Sequence, residues 1–125
     1  MTIREAIDKT DTMKPNMMPE WLKFKYLTEI DGLIHDEIVM AHEHTQEQEE
    51  RPVYTVDSDP DTELIVPAPY DELYVYRLMS KIDIQNQEDE RYMIDNQHFE
   101  NAYDMMSDWW TRNHMPIQKT REFRI

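Results

Sequence analysis

The sequence contains no cysteine and one glycine, Gly32, among its 125 residues. The absence of cysteine excludes disulfide frameworks, thiolate zinc sites and cysteine nucleophiles. The scarcity of glycine argues against β-hairpins with tight turns and against glycine-rich phosphate-binding loops. No apolar run approaches the roughly 20 residues of a membrane span, and the N-terminal MTIREAIDKT lacks the apolar run of a signal peptide. We therefore expect a soluble, non-secreted protein.

Basic residues are few: 13 Lys and Arg stand against 27 Asp and Glu, which gives a formal net charge of −14. Residues 36–63 hold ten acids and one base, whereas residues 112–125 hold four bases and one acid. The chain as a whole should repel a polyanion such as DNA, while the terminal segment alone could contact an acidic surface. An equally good interpretation is that the acidity serves solubility alone.

The N-terminal third has the apolar spacing of two helices. Thr2 and Glu5 form a capping-box pattern that begins the first helix, and Pro15 breaks it. The second helix is predicted to begin near Pro19. Gly32 lies inside it and costs about 1 kcal/mol relative to alanine, which close packing by a neighbouring group would explain. The predicted buried faces are Ile3, Ala6, Ile7 and Thr10 in the first helix and Phe24, Leu27, Ile30, Ile34, Ile38 and Ala41 in the second.

Residues 43–63 form an acidic segment without apolar periodicity. Pro52 and Pro60 interrupt regular structure, and residues 53–56 fit either a short extended strand or a tethered loop. Loops of this length in a small domain are usually functional or mobile. We expect mobility here, with order supplied by a neighbouring subunit.

A third helix is predicted from Pro67–Pro69 onward, with Asp71 and Glu72 in its first turn, where negative charge suits the helix dipole. The apolar pattern stops over IQNQEDERY, and Asn86 is predicted to end the helix in the left-handed conformation. An αα-hairpin therefore fits better than one rod of about 40 residues. The predicted buried face of this helix is Tyr74, Val75, Leu78, Met79 and Ile82.

The last helix has the strongest apolar seam. Its predicted core anchors repeat at steps of seven, four, three and four residues, which places them on one helix face: Tyr92, Phe99, Tyr103, Met106 and Trp110. Ala102, Met105 and Trp109 widen the seam. Burying each large aromatic side chain stabilises the fold by roughly 2–3 kcal/mol. The adjacent tryptophans are interpreted as the end of the core stripe, and a binding role for one of them is the alternative.

Together these segments predict an all-α protein, a small helical bundle of about four helices with a C-terminal αα-hairpin. The predicted domain covers residues 1–114, including the acidic loop at 43–63, and an extended tail covers residues 115–125. One domain of this length buries roughly two-thirds of its unfolded surface, which is enough for a modest core.

No residue pattern for catalysis, cofactor binding or metal binding rises above background. The His-Glu-His sequence at 42–44 directs its side chains apart on a helix, which indicates a solvated helix end. Asp95 and His98 have the i, i+3 spacing of di-metal bundles, but the further ligands such a site needs are missing. Asp31 with His35 is a poor substitute. The serines lack a nucleophile-elbow context, so we expect no enzyme activity, no cofactor and no metal.

Residues 64–116 contain short sequence features that resemble one group of viral proteins. The segment opens with PYDELY, continues through LMSKID and RY..DN..F..AY, and closes with RNHMP. In these features it resembles head–tail connector (adaptor or head-completion) proteins of tailed bacteriophages and Gram-positive prophages. The N-terminal TIREAIDKTDTMKPN and the helix after it also fit.

The resemblance implies a structural virion protein without catalytic activity. Such a protein forms a homo-oligomeric ring of about twelve copies, a dodecamer, below the portal protein at the capsid vertex. The ring lies in the neck, extends the DNA channel and docks a stopper or tail component, while genomic DNA passes through without specific binding. The implied location is the virion, after assembly in the host cytoplasm, with no membrane involved.

The tail is the predicted docking segment for the portal protein or an adjacent protomer. It mixes apolar and basic side chains, and we hypothesise that it becomes ordered on binding. The residues concerned are Ile117, Lys119, Arg121, Phe123, Arg124 and Ile125. The alternative is a solvated terminus without a partner.

Two other functions stay open beside the connector. One is a stopper of the same neck, although stoppers are typically β-rich. The other is a small acidic phage regulator, or DNA-mimic-like protein, that binds a basic host partner. A DNA mimic needs carboxylates arrayed on a rigid surface, whereas the densest acids here fall in an irregular loop.

Overall fold

The computed structural model describes residues 1–117 and has four α-helices in this range. They are α1 (Ile3–Met13), α2 (Glu20–Ile34), α3 (Glu72–Gln85) and α4 (Asp89–Asn113). A π-helical segment, His35–Val39, continues α2, and a short 3-10 helix spans Gln46–Glu49. Residues 1–117 contain no β-strand, only isolated bridges between Thr2 and Glu63 and between His42 and Pro116. The prediction of a small all-α bundle is confirmed.

Helix α1 begins at the predicted capping box. The Thr2 hydroxyl accepts a hydrogen bond from the Glu5 amide (3.1 Å), and the Thr2 amide donates to the Glu5 carboxylate (2.9 Å). The amides of Ile3 and Arg4 donate to backbone carbonyls in residues 60–62. The end of the acidic segment therefore satisfies donors that the start of a helix leaves open.

Helix α2 buries most of the predicted stripe. The buried members are Phe24, Leu27, Ile30, Ile34 and Ile38. Ala41 is exposed, so its prediction is wrong, because helical structure ends at Val39 and the stripe ends with it. A Cβ on Gly32 would lie 2.7 Å from the guanidinium of Arg51, which also pairs with Asp36 at 3.2 Å. Arg51 is therefore the neighbouring group that packs against this glycine.

Helices α3 and α4 form the predicted antiparallel hairpin. The Arg77 guanidinium lies 3.7 Å from the centroid of the Phe99 ring and donates to Asn96 (3.2 Å). The predicted face of α3 is buried except at Met79, which is half-buried.

Two boundaries of the hairpin differ from the prediction. Helix α3 begins at Glu72 instead of Pro67, because the intervening residues form turns, with the Tyr70 amide bonded to the Pro67 carbonyl. Gln87, and not Asn86, has the left-handed conformation, with φ of 58°. The Asn86 amide still bonds to a carbonyl of the last helical turn, so the change of direction falls one residue later.

Helix α4 places the predicted core anchors at different depths. Three are buried in the core: Phe99, Met106 and Trp110. Tyr103 is half-buried and packs against the core. Tyr92 is also half-buried but lies outside the core cluster, and Asp95, almost one turn further on, is the first buried residue of the helix.

The predicted widening of this seam is right for Ala102 and Trp109, which pack against the core. It is wrong for Met105, which is 61% exposed because it is rotated about 100° from its buried neighbour. Trp109 stacks on Tyr70, with ring centroids 5.1 Å apart, and meets the Trp110 ring edge-on. Trp110 stacks on His114, with ring centroids 4.5 Å apart, so the two tryptophans stack on different rings at the end of α4.

The acidic segment is a tethered loop at residues 53–56, not a strand. Tyr54 is buried there, and its backbone amide and carbonyl both bond to the Thr28 hydroxyl, at 2.9 and 3.0 Å. The segment thus crosses the outside of α2 at a defined point. Ordering by a neighbouring subunit stays a prediction.

Candidate functional site

An open pocket lies at the end of the bundle where α4 ends. It encloses about 300 Å³ between the π-helical segment, the acidic segment and the last turns of α4. Its apolar lining is mostly buried and includes Val39, Tyr54, Ile65 and Trp110. Its exposed acids are Glu47, Glu50 and Glu63. No lysine or arginine of residues 1–117 lines it. We call it the acidic pocket.

The π-helical segment fixes one wall of the acidic pocket. His35 Nε2 donates to the backbone carbonyl of Gln48 at 2.9 Å, so its ring ties the helix to the 3-10 helix. Thr45 and Gln48 form a second capping box, with hydrogen bonds of 3.3 and 2.8 Å. Glu47 and Glu50 are thereby held beside the apolar lining.

The opposite wall is positioned by the carboxylate of Asp31, which is fully buried. The Tyr54 hydroxyl donates to one of its oxygens and the Tyr74 hydroxyl to the other, both at 2.5 Å. The Ile65 amide donates to the Tyr54-bonded oxygen at 3.1 Å. The Tyr74 hydroxyl in turn accepts from the Val66 amide at 2.9 Å. One side chain of α2 thus holds both the acidic segment and α3.

Electrostatics assign this group a structural role. Burial raises the pKa of Asp31, and the three hydrogen bonds act against that rise because they stabilise the charged form. Burial beside the carboxylate raises the pKa of Tyr54 and of Tyr74, so both stay protonated donors. Asp31 has no exposed surface, so it offers no group to a ligand.

The sequence pattern marks Asp31 only as a weak partner of His35. A stronger signal is its position on the apolar stripe of α2, one turn after Leu27, where an acid needs buried donors. The spacing does not reveal that tyrosines supply them.

A second group of charges lies where α1 ends against the turn of the hairpin. Lys14 Nζ lies 2.7 Å from a carboxylate oxygen of Asp83 and 2.6 Å from one of Glu88. Asp83 is fully buried and Asp95 nearly so. Lys14 therefore joins the end of α1 to both helices of the hairpin, which the sequence pattern does not predict.

The two buried acids of this group interact. Burial, followed by the interaction with the neighbouring Asp83 carboxylate, raises the pKa of Asp95 to about 7, while Lys14 and Arg91 act in the opposite direction. The folded state therefore holds a proton on Asp95 that the unfolded chain releases at its ordinary pKa of 3.8. The stabilisation from this proton is complete below that value and is lost as the pH rises towards 7.

The same end of the bundle exposes apolar side chains from all four helices or their flanks. They are Met13, Met17, Trp21, Ile84, Met93 and Ile94. Met17 is 97% exposed, Met93 70% and Trp21 59%. Single exposed apolar residues are ordinary, whereas a contiguous apolar patch marks an interaction surface, and the order of the helices brings these six residues to one end of the bundle. We call this group the apolar end.

Of the tail residues predicted to dock, only Ile117 lies within the described residues. The others, outside the described residues, are Lys119, Arg121, Phe123, Arg124 and Ile125. Ile117 is 50% exposed, and its amide donates to the carbonyl of Ala41 at 2.9 Å. Pro116 pairs with His42, so the tail begins alongside the end of the π-helical segment.

The prediction of a solvated helix end is wrong for His42, which is buried. Its Nδ1 donates to the carbonyl of Ile38 at 2.7 Å, and its Nε2 accepts from the Thr111 hydroxyl at 3.1 Å. His98 stacks on Tyr76, with ring centroids 5.0 Å apart.

Residues 1–117 contain no group of three or more His, Asp and Glu that could hold a metal ion. Among the described helices, none combines the length and apolar character of a membrane crossing.

No protein family, curated protein or solved structure matches this chain. The functional assignment therefore rests on the sequence features and on the acidic pocket and the apolar end.

We expect Asp31→Ala to lower the free energy of unfolding by about 3–5 kcal/mol, because three buried donors lose their acceptor. Tyr74→Phe should cost about 1–2 kcal/mol, since it removes one of these hydrogen bonds. Urea denaturation measures both, with Tyr26→Phe as the control for removal of a tyrosine hydroxyl outside the network. A loss for Asp31→Ala no larger than that of the control would contradict the role of this carboxylate.

We expect Asp95→Asn to change how stability depends on pH. In the wild type, Asp95 makes the free energy of unfolding fall between about pH 4 and pH 7, and the asparagine removes this fall. The variant should be more stable than the wild type at pH 8 and match it near pH 4. Unfolding at several pH values tests this, with exposed Asp104→Asn as control. Parallel profiles for wild type and Asp95→Asn would show that Asp95 is not protonated near neutrality.

Proposed function

We propose that this chain is a structural virion protein, a head–tail connector (adaptor) that forms a ring below the portal protein, extends the DNA channel and docks the tail or stopper. The resemblance of residues 64–116 to such connectors suggests the function. The apolar end is the single structural observation that supports it best, because it implies a protein that associates.

The apolar end favours assembly on energetic grounds. Burying apolar surface stabilises an interface by roughly 25 cal/mol per Å², and Met17, Trp21 and Met93 leave much of theirs in water. In a connector, this end contacts a different surface of the next protomer. Such head-to-tail contacts close into a ring when the rotation between neighbours permits.

The charge of the chain suits a protein that lets DNA pass. Non-specific DNA affinity comes mainly from cations that neutralise phosphates, and this chain has a net charge of −14. A channel lined with carboxylates repels the duplex and leaves it free to slide. Genomic DNA therefore passes through the proposed ring without specific binding.

The tail supplies the proposed attachment to the portal protein. It follows an anchored point, the hydrogen bond between Ile117 and Ala41. The residues after Ile117 include the basic Lys119, Arg121 and Arg124 and the apolar Phe123 and Ile125. Basic and apolar side chains together suit docking into a groove of an acidic partner. In this proposal the protein assembles in the host cytoplasm and functions in the neck of the virion.

A second candidate is a small acidic phage regulator that mimics DNA and binds a basic host partner. The observation that favours it is the anchoring of the acidic segment by Tyr54 and Thr28, which gives its carboxylates defined positions. A regulator of this kind is expected to remain a monomer in the presence of portal protein.

Assembly with the portal protein of the same phage distinguishes the two candidates. We expect wild-type protein mixed with portal rings to form complexes of about twelve added copies, measured by mass photometry and electron microscopy. The triple variant Met17→Ser, Trp21→Ser, Met93→Ser should lose the added ring while keeping the wild-type melting temperature, because these side chains are exposed.

The matched control is Val53→Ser with Val56→Ser, which removes exposed apolar side chains away from the apolar end. This double variant should assemble like the wild type. A wild-type protein that stays monomeric with portal would refute the connector function. Normal ring formation by the triple variant would instead show that the interface lies elsewhere.

A further inference from the structure

The acidic pocket has the chemistry of a site for a basic, apolar peptide. Its lining joins the aromatic rings of Tyr54 and Trp110 to the carboxylates of Glu47, Glu50 and Glu63. Glu63 also contacts the α-amino group of Met1 at 3.3 Å, so Glu47 and Glu50 are the carboxylates left for an incoming cation. An occupant therefore needs an apolar side chain with positive charge beside it.

The tail of the chain has this composition. Residues 118–125 read QKTREFRI, with three basic residues, one acid and the apolar Phe123 and Ile125. Phe123 stands between Arg121 and Arg124 with one acid, Glu122, beside it. The charge of this segment is opposite to that of the pocket.

The tail also begins close to the pocket. Ile117 is bonded to Ala41, which lies two residues after the pocket residue Val39. Thr111, which follows Trp110 of the pocket, bonds to His42 on the same segment. The eight residues that follow Ile117 reach about 25 Å when extended at roughly 3.3 Å each, which is ample for this separation.

We propose that residues 118–125 occupy the acidic pocket of their own chain, with Phe123 against Trp110 and with Arg121 and Arg124 beside Glu47 and Glu50. The occupant belongs to the same molecule because a short tether keeps the tail at a high effective concentration beside the pocket. Ion pairs at an exposed rim are weak and are screened by salt, so the contact is reversible and weakens as ionic strength rises.

This inference does not require the connector function. Where the chain is a connector, a tail in its own pocket is not available to the portal protein. The pocket then holds the docking segment until a portal surface competes for it. Removal of the pocket carboxylates would release the tail from the pocket whether or not the chain is a connector.

The absence of cysteine allows a single label to test the contact in the full chain. A nitroxide on Thr62→Cys, an exposed residue of the pocket lining, is expected to weaken the amide NMR signals of residues 121–125 through paramagnetic relaxation. For a rapidly exchanging contact populated about half of the time, the signal intensity falls to well below half at low salt and recovers at about 1 M salt. A label on exposed Lys25→Cys serves as the control.

Glu47→Gln with Glu50→Gln, and separately Phe123→Ala, should restore the tail signals, because each removes one component of the contact. Asp57→Gln with Asp59→Gln changes the same number of acids outside the pocket and should leave the relaxation effect in place. Tail signals unaffected by the Thr62 label would overturn the proposal. So would relaxation seen only when labelled chains act on separate isotope-enriched chains, since a second copy would then be the occupant.

Discussion

The described structure depends most on one buried carboxylate, that of Asp31. A fully buried acid is unfavourable in an apolar interior, and burial accordingly raises its pKa. That cost is offset because Tyr54, Tyr74 and Ile65 donate to it from positions 23, 43 and 34 residues away. One acceptor on α2 therefore fixes the acidic segment and α3 in register with each other. Apolar packing alone would hold these segments together without determining which atoms meet.

The hydrogen bonds to Asp31 determine where the acidic side chains of residues 36–63 are placed. Residues 36–63 carry ten acids and one base, and a segment with so many like charges tends to extend into solvent. Tyr54 holds the middle of the segment on α2, and residues 60–62 hold its end against the first turn of α1. Three of these carboxylates, those of Glu47, Glu50 and Glu63, are consequently kept beside Trp110 at one end of the bundle. The acidic pocket is thus a consequence of the same contacts that stabilise the fold.

The features that the sequence predicts correctly are those that depend on residues three or four positions apart. The capping box of Thr2, the stripe of α2 as far as Ile38 and the hairpin all have this local origin. The partners of Asp31 and of Lys14 lie far along the chain, and in a sequence with 27 acids no spacing singles them out. Apolar periodicity also predicts which face of a helix is buried, but not how deeply each residue on that face lies in the core. Tyr92 is on the predicted seam of α4 yet lies outside the core, since the first turn of that helix extends past the packed core.

The two surfaces lie towards opposite ends of α4, and this separation bears on assembly. Met93 and Trp110 are 17 residues apart, which corresponds to about 25 Å along a helix. A two-fold dimer needs one self-complementary surface, whereas a ring needs two unlike surfaces on each protomer. An apolar end and an acidic, tail-bearing end meet that requirement. In the proposed connector, a tail held in its own pocket would leave the apolar end to form contacts between protomers first. Attachment to the portal would follow once a stronger acidic partner displaced the tail, so the order of assembly would arise from competition for one basic segment.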